Sequence, residues 1–230
     1  MPDPSPVNMA ALVAEIRGEL GALGSPTTAA IREVRRRFSR RLAAASAADV
    51  VAVALALLDV PGFAHRFVGY ELIAYHRAAL ASLGERELEA LARGLDSWEK
   101  VDTFGCYLAG PAWREGQVPD DVVHAWARSP DRWLRRAALV CTVALNIRAR
   151  GGRGDAPRTL AVCRMLLRDR DDMVVKAMSW ALRALSTRHP RAAADFLARH
   201  RDELAPRVVR ELTNKLTTGL KNGTGLKTRA

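Results

Sequence analysis

Asp96-Ser97-Trp98-Glu99-Lys100-Val101, Asp131-Arg132-Trp133-Leu134-Arg135-Arg136-Ala137 and Asp171-Asp172-Met173-Val174-Val175-Lys176-Ala177 decide the fold. Each stretch has an acidic start, a large side chain two residues later and basic positions soon after. Phe63, Trp98 and Trp133 stand 35 residues apart, and Trp133 and Met173 stand 40 apart. That period suits HEAT-like helix pairs better than chance similarity among Ala- and Arg-rich helices. Arg136 and Lys176 take the same position in successive repeats, which would make a basic stripe along one face.

Outward from these stretches the chain reads as helix almost throughout. Ala, Leu, Arg and Glu dominate, and all are strong helix formers. Apolar residues recur at three and four: Val51, Ala54, Leu55, Leu58, and again Leu134, Ala138, Cys141, Ala144, Leu145. No alternating run is long enough for a strand. Helix-stop chemistry predicts breaks at Gly24-Ser25-Pro26, Pro61-Gly62, Gly84, Gly110-Pro111, Ser129-Pro130, Gly151-Gly152 and His189-Pro190. At Ser129-Pro130 the serine is expected to cap a helix and the proline to take its first position. About a dozen helices of roughly 9–18 residues follow. The expected fold class is all-α, a HEAT-like helical-repeat solenoid (an α-α superhelix) with a concave basic face. It is read as a single domain over residues 1–230, with 1–7 and 221–230 as mobile tails.

Composition narrows the function. The chain has 230 residues, 49% of them apolar, enough for a core without disulfides or metals. Its net charge of +11 and pI near 10.5 favour a polyanionic partner, nucleic acid or an anionic membrane surface. The longest apolar run, Val50 to Leu58, is half of the ~18–20 residues a membrane span needs. No secretory signal is read at the start. Cys106, Cys141 and Cys163 are scattered within apolar helical patterns, which points to a reducing cytoplasm and no disulfide framework. His65, His76, His124, His189 and His200 are too dispersed for a zinc site, so no metal and no cofactor are expected. Nucleophile elbow, phosphate-binding loop, deaminase motif and dinucleotide fingerprint are all missing.

Basic residues cluster three times: Arg35 to Arg37 with Arg40 and Arg41; Arg128 to Arg136 with Arg148, Arg150 and Arg153; and Arg199, Arg201, Arg207, Arg210, Lys215 and Lys221. Solvated helix faces account for many of them. Trp98 and Asp102 are four apart and so share a helix face, beside a core stripe of Val101, Phe104, Gly105 and Leu108. From the residues alone two readings stay open: a functional tryptophan–carboxylate pair, or a packed Trp98 with Asp102 in a salt bridge to a neighbouring arginine. Trp180 shares the ambiguity, and Trp133 reads as a repeat-core residue.

These segments, together with Ser179-Trp180-Ala181-Leu182-Arg183, Leu204-Ala205-Pro206 and Arg210-Glu211, resemble the DNA alkylation repair family of HEAT-like glycosylases, the AlkD-like group. The resemblance runs from about residue 25 to about 220, nearly one whole domain. It implies a solenoid that cradles duplex DNA and excises alkylated purines. It matches Trp98 and Trp180 to the family's two active-site tryptophans, Asp102 to its catalytic carboxylate and Arg136 to its phosphate-contacting arginine. Arg135 and Lys176 are the further candidate DNA contacts. The stretch Gly18-Glu19-Leu20-Gly21-Ala22-Leu23 lacks the aromatic that the family carries there. That departure is compatible with a wider cleft, as in members that remove bulky adducts of yatakemycin-type metabolites in self-resistance. The resemblance therefore implies a monomeric, monofunctional glycosylase acting on N3- or N7-alkylated purines in double-stranded DNA. The alternatives are a non-catalytic HEAT-like DNA-binding protein and a protein scaffold.

Overall fold

The structure is a computed structural model that describes residues 8–223. Among the described residues the chain is all-helical, with turns between the helices and no strand. The tails expected at 1–7 and from 224 onward lie outside the described residues, and Lys221–Gly223 form a turn. Two compact units can be distinguished, Met1–Gly94 and Leu95–Ala230.

The first unit holds α1 (Met9–Ala22), α2 (Thr28–Arg41), α3 (Ala47–Leu58), α4 (Phe63–Ala74), α5 (Arg77–Ala81) and α6 (Glu85–Ala92). Thr27 and Ser46 cap α2 and α3, each accepting from an N–H three residues on. Helix α3 packs on α4, α2 on α4 and α1 on α3. The core between them holds Ile16, Phe38, Val50, Val53, Leu57, Val68, Tyr70 and Ile73, all fully buried. Glu71 on α4 is also fully buried and binds Arg32 Nε at 2.9 Å and Arg35 Nε at 3.0 Å, joining α2 to α4.

The second unit begins with α7 (Trp98–Phe104), a π-helical turn over Gly105–Ala109 and α8 (Gly110–Arg114). Then come α9 (Asp120–Ala127), α10 (Arg132–Asn146), a 3₁₀ turn at Arg148–Arg150, α11 (Ala156–Met165), α12 (Asp172–Ser186), α13 (Pro190–Arg199) and α14 (Pro206–Thr218). Helices α9 and α10, α11 and α12, and α13 and α14 pair in sequence, while α10 packs on α12 and α12 on α14. The α7–α8 column packs against α10 in the same way. Paired helices with one member of each pair stacked on the next are the packing of a helical repeat.

The expected break at Gly110-Pro111 does not occur. A proline inside a regular helix lacks the N–H for the carbonyl four residues back and crowds that carbonyl. Here the turn widens first: Gly110 N–H reaches Gly105 O, five residues back, and Pro111 then stands in the first turn of α8. The boundary at Ser129-Pro130 is also shifted. Asp131 is the cap of α10, its Oδ1 accepting from Trp133 N at 2.8 Å, while Ser129 Oγ accepts from Asp131 N ahead of the helix. Several helices are shorter than expected, among them the five-residue α5 and α8.

Gly105 and Gly110 set how closely the α7–α8 column approaches α10. A Cβ at Gly105 would lie 2.8 Å from Val140 Cγ1. At Gly110 it would lie 2.6 Å from both Ala144 Cβ and Gly105 O, and 2.8 Å from Cys141 O. Two of the latter three atoms are backbone and cannot yield cheaply. Gly110→Ala is therefore expected to destabilise the protein by about 1–3 kcal/mol through overpacking. Gly18→Ala, on a part of α1 where an added Cβ meets nothing within 4 Å, is expected to stabilise by about 0.5–1 kcal/mol. Urea denaturation of the two variants beside the parent checks both signs.

Candidate functional site

Helix α7 places Trp98 at its first position and Asp102 one turn later. Val101, Phe104 and Leu108 are fully buried, as the apolar stripe predicts, and they turn Asp102 to the margin of the core. Phe104 packs against Trp126 with ring centroids 5.6 Å apart. Asp96 does not cap α7 but pairs with Lys100 Nζ at 2.7 Å. Asp131 and Asp171 do cap their helices, the latter accepting from Met173 N at 2.9 Å.

The carboxylate of Asp102 meets Arg136 of α10. Nε donates to Oδ1 and Nη2 to Oδ2, each at 2.9 Å, a two-pronged contact that fixes the carboxylate plane. The remaining arm, Nη1, donates to the backbone carbonyl of Met173 at the start of α12, at 2.6 Å. One guanidinium thus ties α7, α10 and α12 together. Arg136 is 5% exposed, whereas the Asp102 side chain keeps 20% of its surface open. Burial pushes the Asp102 carboxyl above its ordinary range, Glu99 adds to the rise, and the Arg136 guanidinium opposes it.

Trp98 is 50% exposed, so it is not packed away. Of the alternative of a packed Trp98 with a salt-bridged Asp102, the salt bridge holds, since Asp102 does pair with a neighbouring arginine. Trp180 is half-buried on α12, seven residues beyond Met173 and four beyond Lys176, so Met173, Lys176 and Trp180 share one face. Trp133 is half-buried rather than fully in the core, with the Arg132 guanidinium 4.9 Å from its ring centroid.

Asp102, Arg136, Lys176 and Arg210 are each the fifth residue of α7, α10, α12 and α14. This shared position receives different treatment in each repeat. Arg136 faces Asp102 instead of solvent. Lys176 is exposed and pairs along its own helix with Asp172 at 2.6 Å. Arg210 is exposed. Arg135 is engaged too, donating to Asp169 at 2.7 Å and to the carbonyls of Ser129 and Pro130. Sequence reasoning missed the Met173 carbonyl, because a backbone group leaves no residue signature. It also missed Glu211, which is buried and accepts from Ser179 Oγ at 2.6 Å, next to Trp180 on α12.

The sequence profile of the DNA alkylation repair enzyme family matches residues 10–216. The chain belongs to that family. A search of curated proteins returns no match. Membership of the DNA alkylation repair enzyme family brings DNA repair as the chain's role and DNA as its partner, and the match spans both compact units. Among the described residues no three His, Cys, Asp or Glu side chains gather as a metal site, and no helix is long and apolar enough to cross a membrane. The three cysteines are buried free thiols, and burial pushes Cys106, nearest the site in sequence, up to about 12.

The Asp102–Arg136 contact makes a titration prediction. Arg136→Met removes the cation that opposes burial, so the Asp102 carboxyl should titrate at higher pH in the variant than in the parent. In the parent it should already titrate above the ~3.9 of a free aspartate. Carbon-13 NMR of the Asp102 carboxyl against pH measures both midpoints. A midpoint that stays put or falls would show that Arg136 does not govern the charge of Asp102.

Proposed function

We propose that the protein is a monofunctional DNA glycosylase that hydrolyses the N-glycosidic bond of N3- or N7-alkylated purines in duplex DNA, bulky adducts included. One observation carries the reading: in a DNA alkylation repair enzyme, a carboxylate held two-pronged by a buried arginine lies one helical turn from a half-exposed tryptophan.

The chemistry asks for little more. An alkylated N3 or N7 gives the purine a formal positive charge, so the C1′–N bond breaks with its electron pair returning to the base, which leaves neutral. No acid has to protonate the leaving group. The positive charge passes to the deoxyribose, and water adds at C1′ and loses a proton. Asp102, ionised and fixed in plane by Arg136, opposes the sugar cation and orients that water. The indole faces of Trp98 and Trp180 hold the cationic sugar by cation–π contact. Arg136 serves in this scheme as the positioning residue for Asp102, since all its donor arms are engaged within the protein. Lys176 and Arg210 are left to meet phosphates. Among the described residues Lys100 and Lys176, the lysines beside these tryptophans in sequence, are each paired with an aspartate four residues back, so the proposed activity uses no Schiff base and leaves the strand uncut.

A non-catalytic DNA-binding protein is the competing reading, and it draws on the same ion pair as an ordinary interhelical salt bridge. Single-turnover release of 7-methylguanine or 3-methyladenine from duplex DNA, with protein in excess, separates the two. Asp102→Asn should keep duplex binding yet slow release by roughly 10²–10³, the usual loss for one preorganised electrostatic group. Trp98→Ala should cost less, about 1–2 kcal/mol in the barrier. Release by the parent should also fall as pH drops through the raised pKa of Asp102, because only the ionised carboxylate opposes the cation. Release by Asp102→Asn at the parent rate would leave the binding protein as the better reading.

A further inference from the structure

The described residues bury five charged side chains: Arg35, Arg66, Glu71, Arg136 and Glu211. Four of them face an opposite charge. Arg35 pairs with Glu71, Arg136 with Asp102, and Glu211 lies 3.3 Å from Arg207 Nε and 3.7 Å from Arg183 Nε and Lys221 Nζ. Arg66, on α4 of the first unit, is the exception. It is 7% exposed, and its bonds go to neutral groups: Nη1 donates to Tyr70 Oη at 2.8 Å and to Leu91 O at 3.3 Å. Tyr70 cannot supply the missing charge, since burial pushes its phenol up to about 12 and its hydroxyl itself donates to Leu91 O at 2.6 Å. A buried cation without an anion is costly, and native proteins rarely leave one so.

The guanidinium borders a solvent-open cavity of about 460 Å³ lined by residues of the first unit. Leu55, Leu58 and Ala90 form its apolar wall, and the exposed Arg93 stands on its rim. Gly94 completes the cradle. Its φ of +70° suits glycine, and a Cβ there would lie 3.2 Å from Arg66 Nη2, covering the donor edge that now opens on the cavity. Asp59 also lines the cavity but is exposed and makes no ion pair with Arg66 or Arg93 among the described residues. Two arginines against one carboxylate leave the site net positive.

We propose that this cavity is a phosphate-binding subsite, with the free edge of Arg66 at its floor and Arg93 closing over the anion from the rim. The planar fork of a buried arginine donates to two oxygens of a phosphate, and the remaining oxygens are left for a second arginine, which a carboxylate ligand would leave idle. The apolar wall suits the sugar side of a phosphate ester. The phosphate comes either from a DNA backbone or from a free phosphate compound. The backbone source rests on the duplex-DNA reading above, and the free source does not.

Titration of the full chain with inorganic phosphate, against chloride at matched ionic strength, tests the site itself. The parent should bind phosphate at least ten-fold more tightly than Arg66→Met or Arg93→Ser. Arg66→Met keeps a long side chain in the same space and leaves the Tyr70–Leu91 bond intact, and Arg93→Ser alters an exposed position, so the fold survives at least one of them. Asp59→Asn should tighten phosphate binding without lowering the thermal midpoint in phosphate-free buffer. Equal phosphate affinity in parent and both arginine variants overturns the proposal. So does a fall in the thermal midpoint of Asp59→Asn with no gain in affinity, which would make Asp59 the hidden partner of Arg66. Binding of an undamaged duplex against salt then assigns the source. A slope of log K on log salt flattened by about one in Arg66→Met marks a backbone phosphate, and an unchanged slope marks free phosphate. Failure of the parent to bind duplex at all would remove the glycosylase reading and leave the phosphate titration standing.

Discussion

A guanidinium as deeply placed as that of Arg136 must have an anion beside it, and Asp102 is that anion. The dependence runs both ways. Asp102 sits where burial disfavours its charge, and only the two parallel bonds from Arg136 keep a carboxylate there worth having. The third arm of Arg136 on Met173 O couples this balance to the start of α12, the helix that carries Trp180. Close approach of the α7–α8 column to α10 is what makes the contact short, and that approach exists because Gly105 and Gly110 have no side chains to hold the helices apart. Glycine spacing, helix packing and carboxylate charge are therefore one arrangement.

Much of this was legible beforehand. The apolar stripe of Val101, Phe104 and Leu108 placed Asp102 beside the core. Period and spacing are local properties, so a one-dimensional reading sees them. What it could not see was where a long side chain ends. Arg136 and Lys176 occupy equivalent repeat positions, yet one reaches a carboxylate 34 residues away while the other lies along its own helix. Position in the repeat sets the direction of Cα–Cβ; the partner within reach sets the rest. The misread boundary at Ser129-Pro130 has a similar cause. Ser129 Oγ and Asp131 Oδ1 each accept from the N–H two residues on, but only the N–H that Asp131 meets, that of Trp133, lies in the first turn of α10.

The charge of the chain also changes meaning once the pairs are known. A net +11 suggested broad basic faces. Yet Arg35, Arg136 and Arg207 serve as interhelical ties to Glu71, Asp102 and Asp172, and Arg135 ties α10 to Asp169 in the turn ahead of α12. Arginine suits that use because its planar fork satisfies a carboxylate and a backbone carbonyl together. Such ties hold successive helices in register, while the positive excess available to a polyanion falls to exposed residues such as Lys176 and Arg210.

The π-helical turn at Gly105–Ala109 bears on how such a site arises. A turn of this kind amounts to one extra residue within a helix, and one residue corresponds to about 100° of rotation. Everything N-terminal to the turn, Trp98 and Asp102 included, is therefore swivelled relative to Trp113 and the rest of α8, although the two segments share one axis of packing on α10. A single-codon insertion in an ancestral regular helix would suffice to swing a carboxylate from one neighbour to another while leaving the downstream core undisturbed. Removing one residue from this turn would reverse the swing, so the acidic position could be gained or lost by length variation, without any change at position 102.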